Sequence, residues 1–197
     1  LDLRLNGRRP LLLSSSVKDE NETLSVDLTN PVLYTNGMVI QKGELHLGRS
    51  KFIRNGACYE QIRLSNFGTE TYTLELSLQF DADFKDIFEV RGIKRERRGE
   101  IMEISHLAEG SVRICYEGLD GVRRVTLINF SRRPDLWHGH NKAVFIIGLP
   151  PHGEYLLEYA IQFLTGEEKK PLLSYADANQ QMQAELREAT AIIARVK

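Results

Sequence analysis

The sequence has few of the residues that mark several specialised classes of protein. It contains two cysteines, Cys58 and Cys115, in 197 residues. Two cysteines are too few for a disulfide framework or a four-ligand zinc site, so we expect buried free thiols or a single bridge. The 26 Lys and Arg nearly balance the 27 Asp and Glu. No global field therefore favours nucleic acid or an anionic membrane surface as a partner.

Long apolar runs are also absent. The longest, such as 143–147, are far too short to span a bilayer, and we expect no membrane partner. No charged segment followed by an apolar stretch marks a secretory signal, so we expect a cytoplasmic protein, although a first residue of Leu leaves a removed leader open. Apolar residues make up 42% and charged residues 27% of the chain, as in soluble globular proteins, which excludes intrinsic disorder.

The dominant pattern is an alternation of apolar and polar residues with period two. Leu74, Leu76, Leu78 and Phe80 alternate with polar residues, and similar segments recur along the chain. Such strands bury one face and wet the other, which is typical of antiparallel sheets packed on one side. We therefore predict a mainly β protein, an antiparallel β-sandwich of the supersandwich type. Its predicted strands lie near residues 1–6, 8–17, 23–29, 43–54, 57–66, 73–80, 87–95, 112–116, 122–130, 142–148 and 159–163.

Turn residues separate these segments. Asn6-Gly7, Asn36-Gly37 and Asn55-Gly56 favour type I′ hairpin turns, because both central positions need a positive φ. Asp120-Gly121 is a fourth candidate of the same chemistry. Many short strands joined by such turns indicate a sandwich or barrel.

The end of the chain follows a different period. A polar connector over 166–171 ends in Pro171, and Ser174 or Asp177 could cap a helix that continues to about Arg195. We therefore predict a sandwich domain over 1–165 and a linker with an amphipathic helix over 166–197. The helix could pack on its own sandwich or on a neighbouring domain, and its far end could contact a second copy, which would make a homodimer. Its apolar stripe consists of Tyr175, Ala178, Met182, Leu186, Ala189, Ile193 and Val196.

Motifs for catalysis are scarce. The sequence has no Gly-x-Ser-x-Gly elbow and no phosphate-binding glycine loop, so it predicts no catalytic residue and no cofactor. His138 and His140 have a spacing that suits a metal pair on a strand, but they lie in a predicted loop where Trp137 packs inward, and we predict no metal. The same segment is the best local candidate for a sugar site, in which an aromatic ring is flanked by polar groups: Trp137, His138, His140 and Asn141.

The acidic run over 80–92 is the most distinctive segment. A pair of its carboxylates could act as acid and base in glycoside hydrolysis. The alternative is a strand-to-turn corner in which Asp81, Asp83 and Asp86 cap backbone amides and pair with Lys85 or Arg91. For the basic cluster over 91–98, we expect a solvated sheet face with cross-strand ion pairs rather than a phosphate site.

This run carries a family resemblance. The sequence Phe80-Asp-Ala-Asp-Phe84, continued by Asp86-Ile-Phe-Glu-Val-Arg-Gly92, resembles the hallmark of the N-terminal domain of bacterial and archaeal glycogen debranching enzymes of the amylo-α-1,6-glucosidase type. Further matching segments are 3–14, 26–31, 116–121 and 149–153. They extend over about residues 1–164. One or two upstream strands of the family pattern are missing.

The resemblance implies a β-sandwich joined by a linker helix to a catalytic (α/α)6 domain of the same chain, which would follow these residues. The implied ligand class is α-glucan, and the catalytic carboxylates would lie outside this chain. The motif residues are then structural or interdomain: Asp81, Asp83, Asp86, Glu89 and Arg91.

Three hypotheses about function remain. The chain is a non-catalytic accessory domain of a glycoside hydrolase, a carbohydrate-binding module in its own right, or a stand-alone sandwich whose edge strands bind a protein partner. The reading frame downstream of Lys197 distinguishes the first hypothesis from the other two.

Overall fold

The computed structural model describes residues 1–17, 22–166 and 170–196. The chain is mainly β with antiparallel sheets, as predicted. The polar segment 167–169 of the predicted connector lies outside the described residues. The strands are β1 (Asp2–Leu5), β2 (Leu11–Val17), β3 (Leu24–Thr29), β4 (Leu33–Thr35), β5 (Met38–Ile40), β6 (Leu45–Arg54), β7 (Ala57–Asn66), β8 (Tyr72–Gln79), β9 (Glu100–His106), β10 (Val112–Glu117), β11 (Arg123–Phe130), β12 (Leu136–His138), β13 (Lys142–Leu149) and β14 (Glu154–Thr165).

These strands form two main sheets. The larger has eight strands in the order β2-β3-β6-β7-β14-β11-β10-β9, and the smaller has four in the order β1-β8-β13-β12. A separate hairpin, β4-β5, closes around Asn36-Gly37. Both residues of Asn6-Gly7, Asn36-Gly37 and Asn55-Gly56 have positive φ, which confirms those three predicted turns, whereas at 120–121 only Gly121 does.

The main core lies between the two sheets. Leu47 on β6 pairs in register with Leu28 on β3 and with Leu64 on β7, so these side chains share one face of the large sheet. On the small sheet, Leu76 pairs with Leu5 and Phe145 in the same way. All of these residues belong to one buried apolar cluster. We call the face of the large sheet that points to the small sheet its inner face, and the opposite face its outer face.

The C-terminal helix α2 (Tyr175–Val196) packs on the outer face of the large sheet. Ser174 caps it, because the Ser174 Oγ accepts a hydrogen bond of 3.1 Å from the Asp177 backbone N–H. The predicted stripe is confirmed for Tyr175, Ala178, Met182 and Leu186, which pack against sheet residues, whereas Ala189 is exposed. The side chains of Ile193 and Val196 lie outside the described residues. The sheet residues under the helix are Phe52, Ala57, Tyr59 and Ala160.

The two cysteines lie on opposite faces of the large sheet. Cys58 pairs in register with Ile161, which packs against the main core, whereas Cys115 packs with Val125 and Leu164 in a separate cluster on the outer face. Both are free thiols, so the single bridge considered from the sequence does not form. Cys115 is buried, as expected, but Cys58 is only half-buried. Among the described helices, neither has the length and apolar character needed to cross a membrane.

Candidate functional site

The segment that carries the family motif is not a strand. It connects β8 to β9, and its regular part is the short helix α1 (Ile87–Val90), so the predicted strand over 87–95 is wrong. Asp86 begins this helix: its Oδ1 accepts hydrogen bonds of 2.8 Å from the backbone N–H groups of Phe88 and Glu89. In return, the Glu89 carboxylate accepts one of 3.1 Å from the Asp86 N–H. This reciprocal capping box outweighs the apolar alternation that predicted a strand.

The basic cluster of this segment forms ion pairs with the motif carboxylates. Arg95 donates two hydrogen bonds, of 2.8 and 3.2 Å, to Asp86 Oδ2, and Arg98 pairs with Glu89. The expected ion pairs therefore exist, but they lie within a loop and not across a sheet face. Arg91, a predicted partner, is instead the exposed C-cap of α1.

Asp81 and Asp83 lie on the approach to α1, outside any strand. Asp83 accepts a hydrogen bond of 3.2 Å from the Lys85 N–H and also pairs with the Lys85 ammonium. These contacts hold the pKa of the Asp83 carboxyl below its usual value. The N–H groups of Glu89 and Phe88, together with the Arg95 guanidinium, lower the pKa of Asp86. Asp81 likewise accepts a hydrogen bond of 2.8 Å from the Ala82 N–H. The predicted capping of backbone amides is thus confirmed for all three carboxylates.

Phe84 anchors the motif segment to the sandwich. Its ring stacks on Tyr116 of β10, with centroids 4.4 Å apart and planes at 5°. The Tyr116 hydroxyl accepts a hydrogen bond of 3.0 Å from the Gly99 N–H, at the far end of the segment. Phe84 has a φ of +47°, which is unusual for a bulky side chain and marks a locally strained residue. An open groove of about 510 Å³ lies beside this stack, lined by Asp86, Glu89 and Arg95 among others.

The predicted sugar-binding tryptophan is not an open platform. Trp137 on β12 is half-buried, and His106 stacks on its ring with centroids 4.0 Å apart. The rings of Phe80 and Phe130 also lie beside it, with centroids 6.5 and 6.3 Å away. Trp137 therefore packs inward, as the alternative interpretation proposed. His138 ends β12 and His140 follows it in the turn, so the two do not share a strand face.

A second cavity brings part of the predicted sugar site together with part of the motif. This space of about 290 Å³ is lined by the polar residues Asp81, His140 and Asn141 and by five apolar residues: Phe80, Ala82, Ile101, Ile104 and Ile114. Asn141 is fixed because its carbonyl accepts a hydrogen bond of 2.9 Å from the Phe80 N–H. A carboxylate, an imidazole and an amide beside an apolar wall suit the hydroxyls and the apolar face of a sugar ring. Trp137 and His138 do not line this cavity.

A buried ionic cluster on the inner face was not predicted. Glu60 on β7 is 1% exposed, and its carboxylate accepts hydrogen bonds from Arg49 (2.5 Å) and from the Tyr159 hydroxyl (2.6 Å). Lys51 lies 2.8 Å from the same carboxylate. The sequence did contain a signal for buried charges. Along β6, Arg49 and Lys51 occupy the alternate positions that follow the buried Leu45 and Leu47. Along β7, Glu60 shares its side of the strand with the buried Ile62.

The ionisation of this cluster follows from its geometry. Burial alone would raise the pKa of Glu60, but the hydrogen bond and charge of Arg49 and the charge of Lys51 outweigh it and lower the pKa. Burial next to the Glu60 charge raises the pKa of Tyr159. The cluster is thus an ionised network whose carboxylate is held by three neighbours.

A comparison with solved structures shows this fold within one larger protein. A structure named "Putative kojibiose phosphorylase from human microbiome" matches with a TM-score of 0.53 and 11% identity, covering 86% of this chain and 21% of that one. A heparan sulfate lyase from Pedobacter heparinus matches with a TM-score of 0.41 and 12% identity, over 85% of this chain and 24% of that one. This chain therefore spans about a fifth of the first structure and a quarter of the second.

The sequence itself matches no curated protein. It does match the family model of the N-terminal domain of some glycogen debranching enzymes, over residues 1–160. That match extends from β1 through most of β14 and includes the whole motif segment. The chain belongs to this family of N-terminal domains of glycogen debranching enzymes.

Proposed function

We propose that this chain is the non-catalytic N-terminal sandwich of a glycogen debranching enzyme of the amylo-α-1,6-glucosidase type. It would support the hydrolysis of α-1,6-glucosidic branch points by a following (α/α)6 domain. The observation that carries this proposal is the family match over residues 1–160. The motif carboxylates agree with it, because Asp83, Asp86 and Glu89 are committed to backbone amides and ion pairs and are not poised as an acid and a base.

We assign the sandwich to residues 1–165 and the linker to 166–197. The first half of α2 is held to the large sheet, since Met182 is buried and Arg54 donates a hydrogen bond of 2.6 Å to Glu185. A helix fixed in this way can set the orientation of a domain that follows it. The enzyme would act in the cytoplasm, and the free thiols of Cys58 and Cys115 agree with a reducing compartment.

The motif segment is our candidate for the contact with the catalytic domain. Helix α1 buries none of its residues, and Ile87 and Val90 are 57% and 68% exposed. Phe88 and Ile93 are exposed beside them. A capped helix with several exposed apolar side chains close together in sequence is typical of an interaction surface. In the whole enzyme these side chains would be buried against the next domain.

The test compares the 197-residue chain with the longer polypeptide of the same reading frame. The chain alone should release no glucose from a branched α-glucan, and the longer polypeptide should release it. Glucose release by the chain alone, or a stop codon after Lys197, would overturn the proposal.

The interdomain contact has its own variant. Phe88→Asp with Val90→Asp should lower kcat/KM of the longer polypeptide at least tenfold and leave the melting temperature of the 197-residue chain unchanged. The matched control is Tyr34→Asp, which changes an exposed aromatic residue on the β4-β5 hairpin. This hairpin lies away from the motif segment, because its Thr35 contacts Thr73 at the opposite end of β8. Equal activity of the double variant and the control would remove the contact from the proposal.

A carbohydrate-binding role is the second candidate, favoured by the 290 Å³ cavity at Asp81, His140 and Asn141. Calorimetry with a maltooligosaccharide tests it on the 197-residue chain. Binding that is lost in Asp81→Asn and kept in Asp83→Asn would support a sugar site at this cavity. No heat of binding at millimolar ligand would remove this role.

A further inference from the structure

The groove of about 510 Å³ beside the Phe84–Tyr116 stack is formed by two separate parts of the chain. Its lining comes from the motif segment, between 84 and 99, and from the β10–β11 hairpin, between 116 and 124. The exposed apolar residues of α1 are not among the lining residues. The groove is therefore distinct from the surface that we assign to the contact with the next domain.

The groove has an apolar part. The rings of Phe84 and Tyr116 are half-buried and line it, and Leu119, which also lines it, is 61% exposed. A Cβ atom at Gly99 would overlap the Tyr116 ring, so the absence of a side chain there keeps the backbone close to the stack. Flat aromatic surface of this kind can pack against the C–H groups of a ring-shaped ligand.

The charged groups of the groove are almost all paired within the protein. Each of its three carboxylates pairs with an arginine that also lines it: Asp86 with Arg95, Glu89 with Arg98, and Asp120 with Arg124. Lys85 pairs with Asp83, which lies outside the groove. Within the described part of the chain, Arg97 is the one lining cation with no ion pair. An anionic ligand would therefore have to compete with carboxylates that are already in place.

The paired arginines still have hydrogen-bond donors to offer. Arg95 donates two N–H groups to Asp86, and Arg124 donates two to Asp120 and one to the Val122 carbonyl. A guanidinium has five N–H groups, so both arginines retain unused donors in fixed positions. A hydroxyl group can accept from them without adding charge and without breaking an ion pair.

We propose that this groove binds a segment of an α-glucan chain. A sugar ring combines an apolar C–H face with a rim of hydroxyls, and the groove combines aromatic side chains with fixed donors. Its volume of about 510 Å³ lies within the range of about 300–1,000 Å³ that is typical of ligand sites and leaves room for about two or three glucosyl units. The choice of α-glucan among saccharides rests on the proposed function. A chain held here would lie on the segment that we assign to the contact with the catalytic domain.

Calorimetry of the 197-residue chain with glucose, maltose, maltotriose and maltotetraose tests the proposal. The affinity should rise at least fivefold from maltose to maltotriose, because a longer chain fills more of the groove. Leu119→Ser and Arg97→Ala should each weaken maltotriose binding at least threefold. Neither residue forms part of an ion pair among the described residues, so both variants should keep the native melting temperature.

Two variants outside the groove are matched controls. Ile53→Ser changes a more exposed apolar residue on β6, and Arg91→Ala changes the exposed C-cap of α1. Both should bind maltotriose like the native chain. Asp81→Asn, in the 290 Å³ cavity, should retain the dependence on chain length, and loss of binding in this variant would place the ligand in that cavity and overturn the proposal.

Three other results would also overturn it: no heat with maltotetraose at millimolar concentration, equal weakening by the groove variants and their controls, or binding of cellotriose as tight as that of maltotriose. Displacement of maltotriose by inorganic phosphate, with no such displacement in Arg97→Ala, would identify an anion site instead. Glucose release by the longer polypeptide is measured separately, so a failure of this proposal is distinguishable from a failure of the proposed function.

Discussion

The ring of Phe84 lies flat on the ring of Tyr116, with their centroids 4.4 Å apart. This stack joins the family motif to the β10 strand of the large sheet, and the Tyr116 hydroxyl also holds Gly99 at the other end of the segment. The two residues therefore fix a segment of which most side chains are in water. The strained φ of Phe84 is the local cost of aiming its ring at β10.

Replacing Phe84 should loosen the whole segment. We expect Phe84→Ala to lower the free energy of unfolding by about 1–2 kcal/mol, because a half-buried ring and its aromatic partner are lost. The amides of 84–98 should also exchange faster. Phe88→Ala is the control, since that ring is exposed on α1, and its effect on urea unfolding should stay within about 0.5 kcal/mol. Equal effects of the two variants would contradict the anchoring role.

Removing the helix cap at Asp86 should affect hydrogen exchange locally and leave the overall stability almost unchanged. Asp86→Ala removes the acceptor for the Phe88 and Glu89 amides, so these amides should lose protection in hydrogen exchange. Asp86→Asn retains a capping oxygen and should keep most of that protection. Because α1 buries no residue, the melting temperature should hardly change in either variant. A large fall in melting temperature for Asp86→Ala would show that the segment supports the core.

Glu60 should be a main contributor to stability. Glu60→Gln leaves Arg49 and Lys51 without their carboxylate in a site where Glu60 is 1% exposed. We expect the free energy of unfolding to fall by about 2–4 kcal/mol at pH 7. This is less than for a fully buried ion pair, because both cations retain partial access to water. Glu154→Gln, at an exposed ion pair with Arg63, should cost less than about 1 kcal/mol. Urea unfolding measures both.

The same carboxylate should make stability depend on pH. The folded state lowers the pKa of Glu60 from its ordinary 4.5, so the unfolded chain binds the proton more tightly. The contribution of the ionised Glu60 carboxylate to stability is therefore fully present above pH 4.5. It is lost as the pH falls through the lower pKa that Glu60 has in the folded state. Between pH 6 and pH 3 the native chain should lose more stability than Glu60→Gln does. Parallel pH profiles for the two proteins would refute this role.

The docking of α2 can be tested at one buried position. Met182→Ala should lower stability by about 2–3 kcal/mol, because this side chain is buried between the helix and the sheet residues Phe52 and Tyr59. Gln181→Ala changes an exposed neighbour and should have an effect within about 0.5 kcal/mol. If Met182→Ala matched this control in thermal unfolding, the helix would not be docked in solution.

Local rules in the sequence determined the sandwich class, most strand positions and the first half of α2. The alternation at Leu74, Leu76 and Leu78 requires a one-sided sheet, and the pairs Asn6-Gly7 and Asn55-Gly56 require positive φ, so neighbouring residues contain that information. The same rules failed over 87–95. There the apolar alternation suggested a strand, but the reciprocal contacts of Asp86 and Glu89 made a helix.

The tertiary structure decided which distant residues meet. Asp81, His140 and Asn141 line one cavity because β8 and β13 are neighbours in the small sheet, and Glu60 reaches Arg49 because β6 and β7 pair in one particular register. Strand order likewise placed β2 at one end of the eight-stranded sheet. Sequence spacing does not specify these relationships, since strand pairing depends on the packing of whole sheets, whereas turns and alternation depend on a few adjacent residues.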